Sequence, residues 1–192
     1  DQKKLTLFLP EKVDRYDTLR VNIAYTAFSE RGNKAGSAAI TDTKGLYFIN
    51  PDGEPKDKPV QIWTQGETEH NSKWYPTIDS PNERQTHDFH LTVPDQYISL
   101  SNGTKVSSKN NADGTRTDHW KMGLPHAPYL SALVVGDFAA VEDSLDGLAF
   151  RYYVEPKYKK GAEKVFENTP EMVRFFSTLL DMPFPWPKYD QV

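Results

Sequence analysis

A chain of 192 residues, with 37% hydrophobic and 12% aromatic side chains, has room for one domain, or for one domain and part of another. Its formal charge of −4 comes from interspersed acidic and basic residues, with no basic stripe, which argues against nucleic acid as a partner. It has no cysteine, which removes disulfides and thiolate metal sites, and no apolar run near the roughly 18 residues of a bilayer span.

In chain order, Asp1 to Lys4 carry no apolar leader or other targeting segment, and Leu5 to Pro10 reads as a strand already in progress. Leu19, Val21, Ile23 and Tyr25 alternate with Arg20, Asn22, Ala24 and Thr26, the pattern of a half-buried strand. Leu46 to Ile49 is a short apolar run followed by the turn signal Asn50-Pro51-Asp52-Gly53, and Val60 to Thr64 is the next strand. His87, Phe89, Leu91 and Val93 then alternate with Thr86, Asp88, His90 and Thr92. Asn110 to Gly114 reads as a hairpin loop, and Tyr129 to Phe138 and Leu148 to Val154 complete the series. Short strands punctuated by Gly, Pro and Asn predict a mainly β fold, a sandwich or a curved sheet.

The period changes after Pro156. Ala162, Val165, Phe166, Thr169, Met172, Val173, Phe176, Leu179 and Leu180 follow helical spacing and form one apolar stripe. Pro170 lies within it, so either the helix kinks there or a helix starts with Thr169 as N-cap and Pro170 at its first position. The Pro-rich run Met182 to Pro187 stops the helix, and Pro187 to Val192 reads as a strand beginning. The expected division is a β-domain over 1–156, incomplete at its start, and a helix with a strand start over 157–192.

Neither a metal site nor a catalytic nucleophile is expected from this chain alone. There is no His-Glu-x-x-His helix, no Gly-x-Ser-x-Gly elbow and no glycine-rich phosphate loop. His87 and His90 are three apart, which on a strand points them to opposite faces. The most distinctive stretch runs from Thr64 to Arg84, dense in polar and aromatic residues after an apolar strand. Its generic reading is a solvated loop anchored by Trp74 and Tyr75. Its functional reading is a strand-end site where Glu67 supplies negative charge and Gln65 a donor and an acceptor, a pair suited to a substrate with a positive amine.

Three segments in order carry a resemblance: Thr64-Gln65-Gly66-Glu67 through Trp74-Tyr75-Pro76 to Asp79-Ser80-Pro81; Pro128-Tyr129-Leu130 to Val134-Val135-Gly136-Asp137-Phe138; and Phe184-Pro185-Trp186-Pro187-Lys188-Tyr189-Asp190. Together they resemble the aminopeptidase N family of zinc metallopeptidases, the gluzincin group that includes leukotriene hydrolases. The resemblance implies a saddle-like β-domain over a thermolysin-like catalytic domain whose first helix starts near the end of this chain. It implies that Glu67 binds the free α-amine of a peptide substrate and that Gln65 lines the first side-chain pocket. It also implies that a Gly-x-Met-Glu-Asn loop, then a His-Glu-x-x-His helix and a later zinc-ligand Glu, lie beyond Val192 and make up the zinc-dependent active site, so the isolated chain is expected to be inactive. Gly66 departs from the family pattern, where a larger residue is frequent.

Other features have plainer readings. Trp186 and Tyr189 read as packing residues, Asp79 as a turn-former and His126 as a satisfied loop histidine. The helix stripe is core once the rest of a catalytic domain covers it, and without that partner it favours self-association. The competing functions are a stand-alone β-sandwich binding module with Trp63, Trp74 and Tyr75 exposed in a row, and a scaffold that has lost peptidase activity.

Overall fold

The computed structural model describes residues 4–28 and 44–192. Asp1 to Lys3, read above as free of an apolar leader, lie outside the described residues. Ten strands and two α-helices make up the regular structure there. A four-stranded antiparallel sheet has the order β1 (Leu46–Ile49), β2 (Gln61–Thr64), β7 (Leu133–Gly136), β4 (Ile98–Ser101). A second antiparallel sheet, of three strands, places β6 (Thr115–His126) between β3 (Gln85–Pro94) and β5 (Thr104–Asn110). In the third, β9 (Leu148–Val154) lies between its antiparallel neighbour β8 (Ala139–Leu145) and β10 (Tyr189–Gln191), which runs parallel to it.

The core forms where these sheets meet. Leu100 of β4, Trp120 of β6, Tyr153 of β9 and Phe138 are buried together, with Phe89, Leu91, Ile98, Val134 and Ala140 packed against them. Each sheet contributes at least one large side chain, so no sheet buries its apolar face alone. Lys188 adds a tie from the chain's last segment: its Nζ lies 4.8 Å from the centre of the Trp120 ring and also pairs with Asp190. The mainly β fold read from strand patterning is thus the fold observed.

A second buried tie is polar. Asp118 of β6 is fully buried; it accepts from Ser99 Oγ at 2.7 Å, Ser108 Oγ at 2.5 Å and Arg116 Nε at 3.0 Å. Burial alone would raise its pKa, but the Arg116, Ser108 and Ser99 hydrogen bonds outweigh it and hold the carboxyl at about 2. Arg116 also reaches the carbonyls of Asp95 and Tyr97, so this one ion pair links β4, β5, β6 and the β3–β4 turn.

Three sequence expectations are corrected. Leu5 to Leu9 and Leu19 to Tyr25 are not strands: neither segment has a ladder partner among the described residues, and Leu19, Val21, Ile23 and Tyr25 are exposed. Alternation marks which side chains share a face, but a strand forms only where a neighbour takes up its N–H and C=O groups. The run from Tyr129 to Phe138 is also not one strand. Pro128–Leu130 forms a single 3₁₀ turn, and β7 begins only at Leu133.

After residue 156 the helical stripe is split in two, α1 (Lys159–Phe166) and α2 (Thr169–Leu179). Pro170 sits in the first turn of α2, where no N–H is required, and the N-cap is Asn168, one residue earlier than the Thr169 cap considered above. α1 packs on β8 and β9, burying Ala162 and stacking Phe166 on Tyr152 at 4.6 Å. Of the other stripe residues, Thr169 and Val173 are half-buried, and Val165, Met172, Phe176, Leu179 and Leu180 are exposed. No helix among the described residues is long and apolar enough to cross a membrane.

Candidate substrate-recognition loop

The segment that follows β2 is held at its start by two hydrogen bonds. Thr64 Oγ1 accepts from Leu133 N at 3.0 Å, and Gln65 N donates to Gly45 O at 2.9 Å. The chain then folds back on itself, with His70 N donating to Gly66 O at 2.9 Å, and passes through a 3₁₀ turn at Asn71–Lys73.

Asn71 is the anchor of this loop. Its side chain is completely buried, and Nδ2 donates to Pro128 O at 2.6 Å and to Ser131 O at 3.0 Å. Its Oδ1 accepts from Trp74 Nε1 at 2.8 Å. Both amide N–H groups fix the loop against the turn that precedes β7, and the oxygen ties Trp74 within the loop. Gly66 is buried beside it, and a Cβ there would lie 2.4 Å from Asn71 Oδ1. Downstream, Asp79 Oδ2 accepts from Ser72 N at 2.8 Å, so Asp79 closes the loop as a structural acceptor.

A polar network continues from the loop into β3. Tyr75 OH and Ser131 Oγ are 3.0 Å apart, Gln85 Nε2 donates to Tyr75 OH at 2.8 Å, and His87 Nε2 lies 3.0 Å from Ser131 Oγ. His87 is buried, its ring stacked on Phe89 and edge-on to His126 at 4.6 Å. Burial, with the neighbouring His126 second, lowers the His87 pKa to about 4, so the ring is neutral at pH 7. His126 lies at the end of β6, not in a loop. Its Nδ1 meets Leu124 O at 3.0 Å, while Nε2 has no partner among the described residues.

The two residues proposed from sequence sit at the start of this anchored loop. Gln65 is half-buried, and Glu67 is exposed. No hydrogen bond joins the two side chains, and the Glu67 carboxylate has no hydrogen bond or ion pair among the described residues. The peptide bond between Glu67 and Thr68 is cis. The arrangement is a carboxylate unengaged among the described residues, carried on a clamped backbone. A cleft of about 460 Å³ lies elsewhere, lined by Met122, His126, Trp186 and Tyr189, and neither Gln65 nor Glu67 lines it. Tyr189 packs on Phe150 and Phe184, and Trp186 on His126, as packing residues do.

The Peptidase M1 N-terminal domain family matches residues 1–130. This chain belongs to that family. Leucine aminopeptidase 2 of Vanderwaltozyma polyspora is 26% identical over 157 residues, which cover 82% of this chain and 23% of that protein. Glutamyl aminopeptidase of Rattus norvegicus is 29% identical over 126 residues, covering 62% of this chain and 13% of the relative. Aminopeptidase B of Rattus norvegicus is 25% identical over 151 residues, covering 79% and 22%. The chain therefore spans less than a quarter of the length of these relatives.

Membership of the Peptidase M1 N-terminal domain family leaves little room for the binding-module alternative. That reading needs Trp63, Trp74 and Tyr75 exposed in a row. Trp63 is exposed, stacked on Tyr47 at 4.4 Å, but Trp74 is buried against Asn71 and Tyr75, and Tyr75 is half-buried in the Ser131 network, so no row of exposed rings forms. Sequence reasoning missed Asn71, Ser131, Gln85 and His87 as the loop's supports. The one local signal was Gly66, whose missing side chain leaves room for a buried neighbour.

Proposed function

We propose that this chain is the recognition portion of a zinc-dependent aminopeptidase that removes N-terminal residues from peptides. Glu67 holds the protonated α-amine of the substrate, and Gln65 lines the pocket for its first side chain. The observation that carries this reading is the Glu67 carboxylate, unpartnered among the described residues, on a loop whose backbone is fixed through Asn71. A charge held ready on a rigid frame binds an ammonium group with little reorganisation. Once a substrate covers the site, a peptide lacking the free amine would leave that carboxylate buried and unpaired, which is the physical basis for exopeptidase selectivity.

Residues 1–156 form the recognition domain in this proposal, and 157–192 begin the catalytic domain. The exposed stripe of α1 and α2 is the face on which the rest of that domain packs; in the isolated chain it favours self-association. The sequence holds no His-Glu-x-x-His, so no residue of this chain is assigned to the catalytic zinc, and the isolated chain is inactive. The zinc, bound elsewhere in the longer enzyme, would supply water activation and carbonyl polarisation.

The test is Glu67→Gln and Glu67→Ala in the full-length enzyme. Both lower kcat/KM for an aminoacyl anilide by about 2–5 kcal/mol of transition-state binding, the range for a broken ion pair in a cleft. An unchanged rate removes Glu67 from the site. Chelator-sensitive hydrolysis by the purified 192-residue chain would overturn the division of labour.

A further inference from the structure

The outer face of the β3–β6 ladder carries a cluster that the aminopeptidase reading does not use. Along β3, Thr86, Asp88, His90 and Thr92 point away from the core, whereas His87 and Val93 are buried on the inner face. On β6, Thr117, His119 and Lys121 share that outer face, with Asp118, Trp120 and Met122 buried behind them. The register sets His90 directly opposite His119, and Asp88 opposite Lys121, so Asp88 and His119 are diagonal neighbours.

The side chains converge as well. The His90 and His119 rings stack with centroids 4.1 Å apart and 12° between planes. Asp88 Oδ1 and His119 Nε2 meet in a short hydrogen bond. One ligand atom from each of Asp88, His90 and His119 lies within 4.8 Å of the others. A metal ion with bonds of about 2.1 Å spans donors up to about 4.2 Å apart, so small side-chain rotations complete the set.

We propose that Asp88, His90 and His119 form a surface site for a divalent transition-metal ion, with water in the remaining coordination positions. Two imidazoles and one carboxylate, without thiolate, select Zn²⁺, Ni²⁺, Cu²⁺ or Co²⁺ over the all-oxygen preferences of Mg²⁺ and Ca²⁺. Lys121 Nζ lies 3.8 Å from the other carboxylate oxygen, Oδ2. Oδ1 can therefore take the ion while Lys121 stays on Oδ2 as an orienting outer partner. The bound ion would tie β3 to β6 across a 31-residue separation, which stabilises the folded chain by mass action. The site is independent of the aminopeptidase reading, and its readouts do not involve peptidase activity.

The experiment is calorimetric titration of the metal-stripped 192-residue chain with ZnCl₂ and NiCl₂ at neutral pH, paired with thermal melts and with Co²⁺ absorption spectra. One ion per chain, a higher melting temperature and a visible Co²⁺ band are expected, with no shift from MgCl₂. His90→Ala and His119→Ala should each weaken binding at least tenfold and abolish the melting shift. Asp88→Asn should weaken binding less. Because Asp88 and His90 are exposed and His119 is half-buried, their unliganded variants should keep the wild-type circular dichroism spectrum. His90→Gln serves as the second variant if His90→Ala does not. No saturable binding, no melting shift, or a shift equal in wild type and in the His variants would overturn the site and leave a cross-strand hydrogen bond only.

Discussion

A Cβ added to Gly66 would lie 2.5 Å from Cγ of Asn71, well inside van der Waals contact. The position between Gln65 and Glu67 is a glycine because Asn71 occupies the space a side chain would need. Asn71 cannot step aside cheaply, since Pro128 O, Ser131 O and Trp74 Nε1 all hold its carboxamide. Gly66→Ala should therefore destabilise the chain by about 1–3 kcal/mol, the usual range for overpacking. Asn71→Ala should cost about 2–4 kcal/mol, because several buried polar groups lose their partner. The double variant should be less destabilised than the sum of the two, since Asn71→Ala removes the clash. Urea midpoints of the four proteins measure the coupling, and strict additivity would contradict the steric account.

Acid should weaken the fold in two stages. The folded pKa of His87 is depressed from 6.5 to about 4, so folding favours the neutral ring. Its contribution is complete above pH 6.5 and is lost as pH falls to 4, by about 3 kcal/mol at most. Asp118 is depressed from 3.8 to about 2, so its contribution is complete above pH 3.8 and is lost as pH falls to 2. Denaturation midpoints against pH should show both declines. His87→Gln should flatten the upper one and leave the lower, and an unchanged upper slope would assign that decline to another group.

Asp118→Ala should be among the most damaging substitutions. It strips Arg116, Ser99 and Ser108 of a shared acceptor in a fully buried position. Breaking one side of such a pair costs about 3–5 kcal/mol. Asp118→Asn keeps an acceptor and should lose less. Thermal melts separate the two, and equal losses would show that the retained shape and acceptor contribute nothing without the charge.

Glu67→Ala should leave the stability of this chain within about 0.5 kcal/mol of wild type, as expected for an exposed side chain without a partner among the described residues. That outcome, alongside the activity loss proposed for the full-length enzyme, separates a substrate contact from a structural one. A destabilisation comparable to that of Asn71→Ala would mean that Glu67 supports the loop.

Phe176→Glu and Leu179→Lys, on the exposed stripe of α2, should shift the isolated chain toward monomer without lowering its melting temperature. Sedimentation velocity over a concentration series reads this directly. A wild-type chain that is already monomeric at all concentrations would remove self-association from the proposal.

Local pattern was enough for β1, β2, β3, β9 and the β5–β6 turn, because apolar alternation and Asn-Gly punctuation are properties of neighbouring residues. It was not enough for β5. Every residue from Thr104 to Asn110 is exposed, so nothing alternates, and the segment is a strand because β6 pairs with it. The opposite failure occurs at Leu19 to Tyr25, where alternation is present and no neighbour is paired. The same divide runs through the candidate recognition loop. Gln65 and Glu67 were legible as a motif, but the clamp that fixes them joins Asn71 to carbonyls 57 and 60 residues away.

By itself the sequence determined the mainly β class, the switch to helix after Pro156 and the shared face of Asp88 and His90, and it marked Gln65 and Glu67 as a candidate motif. Only the tertiary structure decided that Asn71 fills the space beside Gly66, and that His119 comes to lie opposite His90. The reason is physical. A period of two reports which side of a strand a residue faces, and it carries no information about which distant strand pairs there or in what register.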